Sequence, residues 1–222
     1  MPPRYVIFDC DGVLVDSEPI SNRLLAEALT DIGLRTTTEE SIAAYMGRSW
    51  ASNIMDIEAR LGRKAPPDLR TRVDEDMQAA FERELEPVPG IAAALARIDL
   101  PRCVASSSDP AHIRFVLEHT GLIEHFTQPA SPAGTGTGHL FSAVEVENGK
   151  PAPDLFLHAA SRMGWEPAHC AVIEDSQAGV QAGLAAGMTV FGYARRTDPA
   201  LLGGARIFTR MEELPELLQP PV

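Results

Sequence analysis

The sequence predicts an α/β fold in which helices cover both faces of a parallel sheet, with an all-helical domain inserted into it. Short β-branched runs alternate with longer helical patterns, which is typical of βαβ units. Between Glu18 and Glu86, however, no strand-like run occurs. The 222 residues are 45% hydrophobic and 23% charged, which is enough apolar material for one large core or two unequal cores.

Five short apolar runs are predicted as strands, in chain order Tyr5–Asp9, Cys103–Ser106, Ala171–Glu174, Thr189–Tyr193 and Arg206–Thr209. A helix is expected after Leu155, because apolar residues recur there at helical spacing and Gly164 supplies its end. We expect this helix to lie on the sheet. The low-complexity segment TQPASPAGTGTG, residues 127–138, is predicted as a surface loop.

The insert contains two apolar stripes at helical spacing, one from Leu24 to Ile32 and one from Ile54 to Leu61. The Pro66-Pro67 pair interrupts the helical pattern, and EPVPG at residues 86–90 marks the return into the α/β part. We therefore predict two domains, a core made of residues 1–17 and 87–222 and a helical domain made of residues 18–86.

The charge balance excludes several classes of partner. The chain carries 19 Lys and Arg residues against 31 Asp and Glu, a net charge of -12 that repels nucleic acid and anionic membranes. No apolar stretch approaches membrane-spanning length, and the first strand leaves no room for a signal peptide. Cys10, Cys103 and Cys170 lie in apolar runs, as core residues do in a reducing compartment. We expect the protein to be cytoplasmic and monomeric, and we expect its partner to be a small molecule.

Two aspartates follow the first strand and indicate a metal site. Asp9 and Asp11 are two residues apart, so in an extended chain they project the same way from the carboxyl end of the strand, where open α/β sheets bind ligands. Gly12 lets the backbone turn away. A hard cation would offset the repulsion of the two acids, and oxygen ligands without a nearby His or Cys favour Mg²⁺ over zinc. The alternative is that one acid caps the turn and the other is solvated.

A second acidic pair, Glu174 and Asp175, ends another buried strand and opens a helix rich in small residues. Adjacent strand residues point to opposite faces, so we expect one to bind the metal directly and the other through water. We favour Asp175 as the direct ligand. The alternative is that Asp175 or Ser176 merely caps the helix.

Hydroxyls and one unusual lysine complete the pattern. Ser106 and Ser107 follow a strand end with backbone N–H groups beyond them, which suits phosphate oxygens, although a Ser-rich turn is the alternative. The chain has only two lysines, Lys64 and Lys150, among its 19 basic residues. A compact ammonium at 150 suits contact with a carboxylate and a phosphate together. The alternative is a surface lysine in a proline turn. The six histidines show no ligand spacing and are assigned no role.

In this order, FDCDGVLVDSEP, CVASSS, GKPAPDLF and VIEDSQAGVQAGLAAGM resemble the motifs of the haloacid dehalogenase-like (HAD) hydrolase superfamily. The resemblance covers nearly the whole chain. It is most specific to the subfamily with a helical cap after the first motif, the group of phosphoglycolate-type phosphatases and β-phosphoglucomutases. It implies a Rossmann-like core, an all-helical cap over residues 18–86 and an active site between them.

The resemblance also implies a mechanism. Asp9 would be the nucleophile that forms an aspartyl-phosphate, and Asp11 would be the general acid and base. Mg²⁺ would be held by the Asp9 carboxylate, the Asp11 backbone carbonyl and Asp175, with Glu174 as a direct or water-mediated ligand. Ser106, Ser107 and Lys150 would bind the phosphate.

The same resemblance makes a phosphatase for sugar phosphates or phosphorylated small acids the leading expectation. Asp11 argues against dehalogenase chemistry, which lacks that second acid. A phosphomutase is the alternative, although β-phosphoglucomutases carry a histidine where this chain has Ser21. A non-catalytic binding protein on the same fold is the second alternative, which the complete set of acids and Lys150 disfavours.

Substrate selection is expected from GRSWASN, residues 47–53, a glycine-led loop that opens a helix in the insert. Arg48 would meet a second anionic group of the substrate, and Asn53 would bind a hydroxyl. Trp50 is expected to pack inside the helical domain.

Overall fold

The computed structural model describes residues 2–46, 50–127 and 139–219 of the chain. Six parallel strands form one sheet with the order β3-β2-β1-β4-β5-β6. The strands are β1 (Tyr5–Phe8), β2 (Arg102–Ser106), β3 (Leu140–Ser142), β4 (Cys170–Glu174), β5 (Thr189–Tyr193) and β6 (Arg206–Phe208). The helices are α1 (Glu18–Asp31), α2 (Thr38–Tyr45), α3 (Trp50–Leu61), α4 (Leu69–Glu84), α5 (Ile91–Arg97), α6 (Pro110–His119), α7 (Glu124–Thr127), α8 (Asp154–Met163), α9 (Gln177–Ala185) and α10 (Leu214–Leu217).

The predicted α/β class is confirmed, and the strand order explains how both faces of the sheet are covered. The chain runs outward from β1 to β3 on one side and from β4 to β6 on the other. Because parallel crossovers are right-handed, the helices of the two halves lie on opposite faces. On one face Ile7 packs in a cluster with residues of α8 and α9, and on the other Phe8 meets the Phe126 ring edge-on at 5.9 Å.

Burial on both faces accounts for the apolar runs that identified the strands. Residues 6–8 of β1 and all five residues of β4 are buried, as expected of a parallel sheet. The predicted strand ends agree with the observed ones to within one residue. The predicted helix after Leu155 is α8, and Gly164 ends it in the left-handed conformation with φ 71°.

The prediction missed one strand, β3, which contains only Leu140–Ser142. Three residues are too few to show periodicity, and their strand conformation depends on pairing with Val104 to Ser106 of β2. Residues 128–138, most of the predicted surface loop, lie outside the described residues.

Contacts divide the chain into two compact units, one of Met1–Val15 with Pro87–Val222 and one of Asp16–Glu86. The first contains the sheet. The described residues of the second form α1 to α4 and no strand, around a core that includes Leu29, Ile57 and Leu69. The Pro66-Pro67 pair lies between α3 and α4, where the helical pattern was expected to break.

The three cysteines are free and buried, as predicted for core residues. Burial raises the pKa of Cys170 to about 12 and that of Cys10 well above its ordinary value, so neither thiol ionises near neutral pH. Among the helices of the described residues, none is both long and apolar enough to cross a membrane.

Candidate active site

The carboxyl ends of three neighbouring strands carry the polar residues that the sequence singled out. Asp9 directly follows β1, Ser106 ends β2 and Glu174 ends β4. Since β1 lies between β2 and β4 in a parallel sheet, all three residues lie at the same edge. The Asp9 backbone N–H donates to the Ile173 carbonyl at 3.0 Å and thereby extends the β1–β4 pairing up to the site.

Lys150 is buried at the centre of this group. Its Nζ donates to Asp9 Oδ1 at 2.5 Å, to Glu174 Oε1 at 2.6 Å and to the Ala105 carbonyl at 3.3 Å. An ammonium has three hydrogens, so these three acceptors account for all of them. The side chain is 5% exposed, which rules out the alternative of a surface lysine in a proline turn.

The surroundings of Lys150 and Asp9 raise the pKa values of both groups. Burial alone would lower the pKa of Lys150, but the charges of Asp9 and Glu174 outweigh it and raise that pKa above its ordinary value. Burial raises the pKa of Asp9 to about 7, with Glu174 adding to the rise and Lys150 opposing it. Lys150 therefore compensates only part of the buried negative charge.

The donor atoms around Asp9 fit a hard divalent cation. Oxygens of Asp9, Glu174 and Asp175 lie within 4.8 Å of one another, and no His or Cys belongs to this described cluster. Glu174, however, is already engaged at both oxygens. Its Oε1 accepts from Lys150, and its Oε2 accepts from the N–H groups of Asp175 and Ser176 at 3.1 Å and from the Ser176 hydroxyl at 3.0 Å. Glu174 therefore holds the turn with both of its oxygens, and the direct role of Asp175 in metal binding stays a prediction.

The helix after this turn is capped by Ser176, whose hydroxyl accepts from the Gly179 N–H at 3.0 Å. The alternative that Asp175 or Ser176 caps the helix is therefore confirmed for Ser176, which leaves Asp175 not needed as the cap of α9. Gly179 itself is required by packing, because a Cβ there would lie 1.7 Å from Glu174 Oε1.

The two serines proposed for phosphate binding differ in exposure. Ser106 is 1% exposed, and its hydroxyl accepts from the Ser108 N–H at 3.1 Å, while Ser107 is exposed. The next helix, α6, begins after Asp109, whose carboxylate accepts from the N–H groups of Ala111 and His112. The N–H groups after β2 are thus partly used within the turn.

Asp11 is held by Ser108, the last residue of the CVASSS stretch, and by His112, and the sequence analysis gave neither residue a role of its own. Ser108 Oγ donates to Asp11 Oδ2 at 2.8 Å, and His112 Nε2 lies 3.2 Å from Asp11 Oδ1. Burial alone would lower the pKa of His112, but Asp11, through its hydrogen bond and charge, and Asp109 raise it above its ordinary value. No role was expected of any histidine, but the structure places His112 in contact with Asp11. A separation of 101 residues leaves no local spacing that could have revealed this contact.

The residues predicted to select the substrate lie in the helical unit. Arg48 lies outside the described residues. Asn53 is buried on α3, where its Nδ2 donates to the Tyr45 carbonyl at 3.3 Å and its Oδ1 has no hydrogen-bond partner among the described residues. Trp50 packs against the apolar core of this unit, as expected, with the Arg70 guanidinium 5.0 Å from the centre of its ring. The role of Asn53 stays a prediction.

A family model described as haloacid dehalogenase-like hydrolase matches residues 3–187. The parallel α/β fold, the carboxylate cluster and this family match together identify the chain as an enzyme of the hydrolase class. The chain belongs to the haloacid dehalogenase-like hydrolase family, which confirms the resemblance drawn from its motifs.

Three relatives illustrate the similarity. The chain is 29% identical to the 6-phosphogluconate phosphatase of Escherichia coli K12, over 96% of this chain and 93% of that protein. It is 31% identical to the fructose-1-phosphate phosphatase of the same organism, over 85% of this chain and 96% of that protein. Among solved structures, a family hydrolase from Deinococcus radiodurans R1 with bound phosphate and sodium is 30% identical, covers 99% of both chains and superposes with a TM-score of 0.77.

Proposed function

We propose that this protein is a Mg²⁺-dependent phosphatase that hydrolyses small phosphomonoesters, either sugar phosphates or phosphorylated small acids, through an aspartyl-phosphate. The observation that carries the proposal is the buried Asp9 carboxylate, held by Lys150 at a strand end beside Glu174 and Asp175. The relatives named fructose-1-phosphate phosphatase and 6-phosphogluconate phosphatase support this substrate class. We further propose that the enzyme acts in the cytoplasm as a monomer.

In the first step, an oxygen of Asp9 attacks phosphorus in line, and the bond to the leaving oxygen breaks. Asp11 gives its proton to that oxygen, so the product leaves as an alcohol and Asp11 becomes a carboxylate. In the second step, Asp11 takes a proton from water, and the water oxygen attacks the aspartyl-phosphate. Inorganic phosphate leaves, and both aspartates return to their starting states.

The remaining residues bind and orient the phosphate. Ser106 and Ser107 donate hydrogen bonds to its oxygens, and Lys150 fixes the attacking carboxylate and exchanges its 3.3 Å contact with the Ala105 carbonyl for a phosphate oxygen. Asp9, Asp175 and the Asp11 backbone carbonyl would hold a divalent cation, which would supply positive charge that offsets the negative charge of the transferred group.

Two other functions are weaker candidates. A phosphomutase would use the same core residues, but this chain has Ser21 where β-phosphoglucomutases carry a histidine. A silent binding protein has no need for Lys150 to bridge two buried carboxylates at a strand end. Hydrolysis is therefore the proposal we favour.

Phosphate release is expected from a panel of fructose 1-phosphate, 6-phosphogluconate, phosphoglycolate and 4-nitrophenyl phosphate when Mg²⁺ is present. It should stop when EDTA removes the metal and return when excess Mg²⁺ is added, because Asp9 and Asp175 are the proposed ligands. The same samples are assayed for isomerised hexose phosphates. Isomerisation without phosphate release would replace the phosphatase by the mutase, and binding without either reaction would favour the silent protein.

Gly12→Ala is expected to reduce phosphate release by about 100-fold, because small displacements of catalytic groups have effects of that order. Gly12 has φ 80°, and a Cβ there would lie 2.1 Å from Asp175 Oδ2, so the proposed metal ligand must move. Gly121→Ala is the matched control. Gly121 has φ 71° and no atom within 4 Å of a built Cβ, so it carries the same backbone strain without the contact. Equal activity in the two variants would show that Asp175 need not stay in place.

A further inference from the structure

The Asp11 carboxyl group is held at one oxygen by Ser108, which lies between β2 and α6, and at the other by His112 in the first turn of α6. Ser108 Oγ donates to Oδ2 at 2.8 Å, and His112 Nε2 lies 3.2 Å from Oδ1. The Asp11 side chain is 26% exposed and that of His112 is 21% exposed. This exposure distinguishes Asp11 from Asp9, which Lys150 holds in the interior.

Ser108 is itself fixed on two sides. Its N–H donates to the Ser106 hydroxyl at 3.1 Å, and its carbonyl accepts from the Ser142 hydroxyl at 2.6 Å. Ser106 ends β2 and Ser142 ends β3, so the position of the Ser108 hydroxyl follows from the sheet itself.

His112 is placed by the start of α6. Asp109 caps this helix by accepting from the N–H groups of Ala111 at 2.9 Å and His112 at 3.0 Å. The next residue, Ile113, is fully buried and anchors the helix in the core. The imidazole ring therefore projects from a fixed first turn.

We propose that Ser108 and His112 are positioning residues that orient the Asp11 carboxyl group for proton transfer to the leaving oxygen. This inference rests on the proposed phosphatase function. A half-exposed carboxyl group rotates unless it is held, and general acid catalysis requires its oxygen within hydrogen-bond reach of the leaving group. A protonated Asp11 carboxyl group donates through its own O–H, so the contacts of its oxygens with Ser108 and His112 fix the direction in which that proton is presented.

The proposal predicts which substrates need the two residues. The alkoxide of a sugar is a poor leaving group that requires the Asp11 proton, whereas 4-nitrophenolate leaves without one. Loss of a positioning residue should therefore reduce kcat/KM for alkyl phosphates and spare 4-nitrophenyl phosphate. The ratio kcat/KM is the proper measure, because it covers only the steps up to the aspartyl-phosphate and excludes its hydrolysis.

The test compares His112→Ala and Ser108→Ala with wild type on the best sugar phosphate of the panel and on 4-nitrophenyl phosphate. For each variant we expect kcat/KM on the sugar phosphate to fall about 10- to 100-fold, which is part of the full effect of general acid catalysis. On the aryl ester we expect kcat/KM to fall less than about threefold. His112→Gln, which keeps a donor group on the side chain, should recover part of the loss. His119→Ala is the control, since His119 is exposed at the other end of α6.

A double-mutant cycle shows whether the effect passes through Asp11. In an Asp11→Ala background, adding His112→Ala should cause no further loss on the sugar phosphate, because the group that it positions is gone. Equal losses on both substrates, or full additivity in this background, would overturn the proposal. Thermal unfolding of every variant identifies a folding defect, and Ser108→Ala carries the same test if His112→Ala unfolds.

The proposed function and this inference fail in different ways. A wild-type enzyme that releases no phosphate from any compound contradicts the phosphatase itself. If the wild type is active but the variants lose the same activity on the sugar phosphate and on 4-nitrophenyl phosphate, only the roles of Ser108 and His112 are contradicted.

Discussion

Lys150→Met is expected to abolish phosphate release and to lower the free energy of unfolding by about 3–5 kcal/mol, the usual effect of removing one partner from a buried ion pair. The Lys150 ammonium is the shared partner of Asp9 and Glu174, and Glu174 is 0% exposed. Methionine has a similar length and fills the space, but it leaves two buried carboxylates with less compensation. Urea unfolding and phosphate release measure the two effects separately.

The loss of stability in Lys150→Met is expected to depend on pH. Without Lys150, the pKa of Asp9 in the folded state rises further above its unfolded value, since Lys150 opposes the effect of burial. A group with a raised folded pKa favours the folded state at low pH, and that contribution is lost as pH rises through the folded pKa. The stability deficit of Lys150→Met should therefore be smaller at low pH than at high pH. A deficit that grows as pH falls would contradict this account.

The other lysine of the chain provides the control. Lys64 is 89% exposed and pairs with Glu58 at 2.7 Å on the surface. Lys64→Met should change the free energy of unfolding by less than about 1 kcal/mol, because exposed ion pairs contribute little. Activity in the Lys64 variant should match the wild type. If Lys64→Met and Lys150→Met had similar effects, the burial of Lys150 between Asp9 and Glu174 would not explain its role.

Asp9→Asn is expected to reduce kcat by at least about 1,000-fold while leaving the fold intact, as removal of a catalytic nucleophile does in other enzymes. The amide has the shape of the carboxylate but is a far weaker nucleophile toward phosphorus. Stability should change little, because burial raises the pKa of Asp9 to about 7 and the ionised group is unfavourable to bury. Lys150 keeps its contact with Glu174 in this variant.

The matched control is Asp198→Asn. Asp198 is exposed and accepts a hydrogen bond from the Ala200 N–H at 2.9 Å, which asparagine also accepts. Phosphate release by this variant should equal that of the wild type. Residual activity of Asp9→Asn above about a hundredth of the wild type would point to another nucleophile, since the loss expected for a nucleophile is much larger.

Much of the fold could be predicted from the sequence because a parallel sheet is buried on both faces. Such strands need apolar side chains at nearly every position, and β1 and the first four residues of β4 carry them. The three-residue β3 could not be found in this way, because its conformation follows from its pairing with β2.

The candidate site, like the fold, could be predicted only in part from the sequence. Asp9 and Lys150 could be singled out because an acid after a buried run and a rare lysine are visible in the chain itself. The hydrogen bonds that engage both oxygens of Glu174 were not visible, since one of them reaches back 24 residues to Lys150. Ser108 and His112 were missed for the same reason.

By itself, the sequence determined the α/β class, the strand ends and the acids and lysine that gather at one edge, because burial and strand periodicity are local properties of the chain. Only the tertiary structure decided which of these groups touch. Lys150 lies between Asp9 and Glu174, and Asp11 lies between Ser108 and His112, across separations of 24 to 141 residues. Hydrogen bonds act over about 3 Å, so their partners are set by the packing of strands and helices and not by distance along the chain.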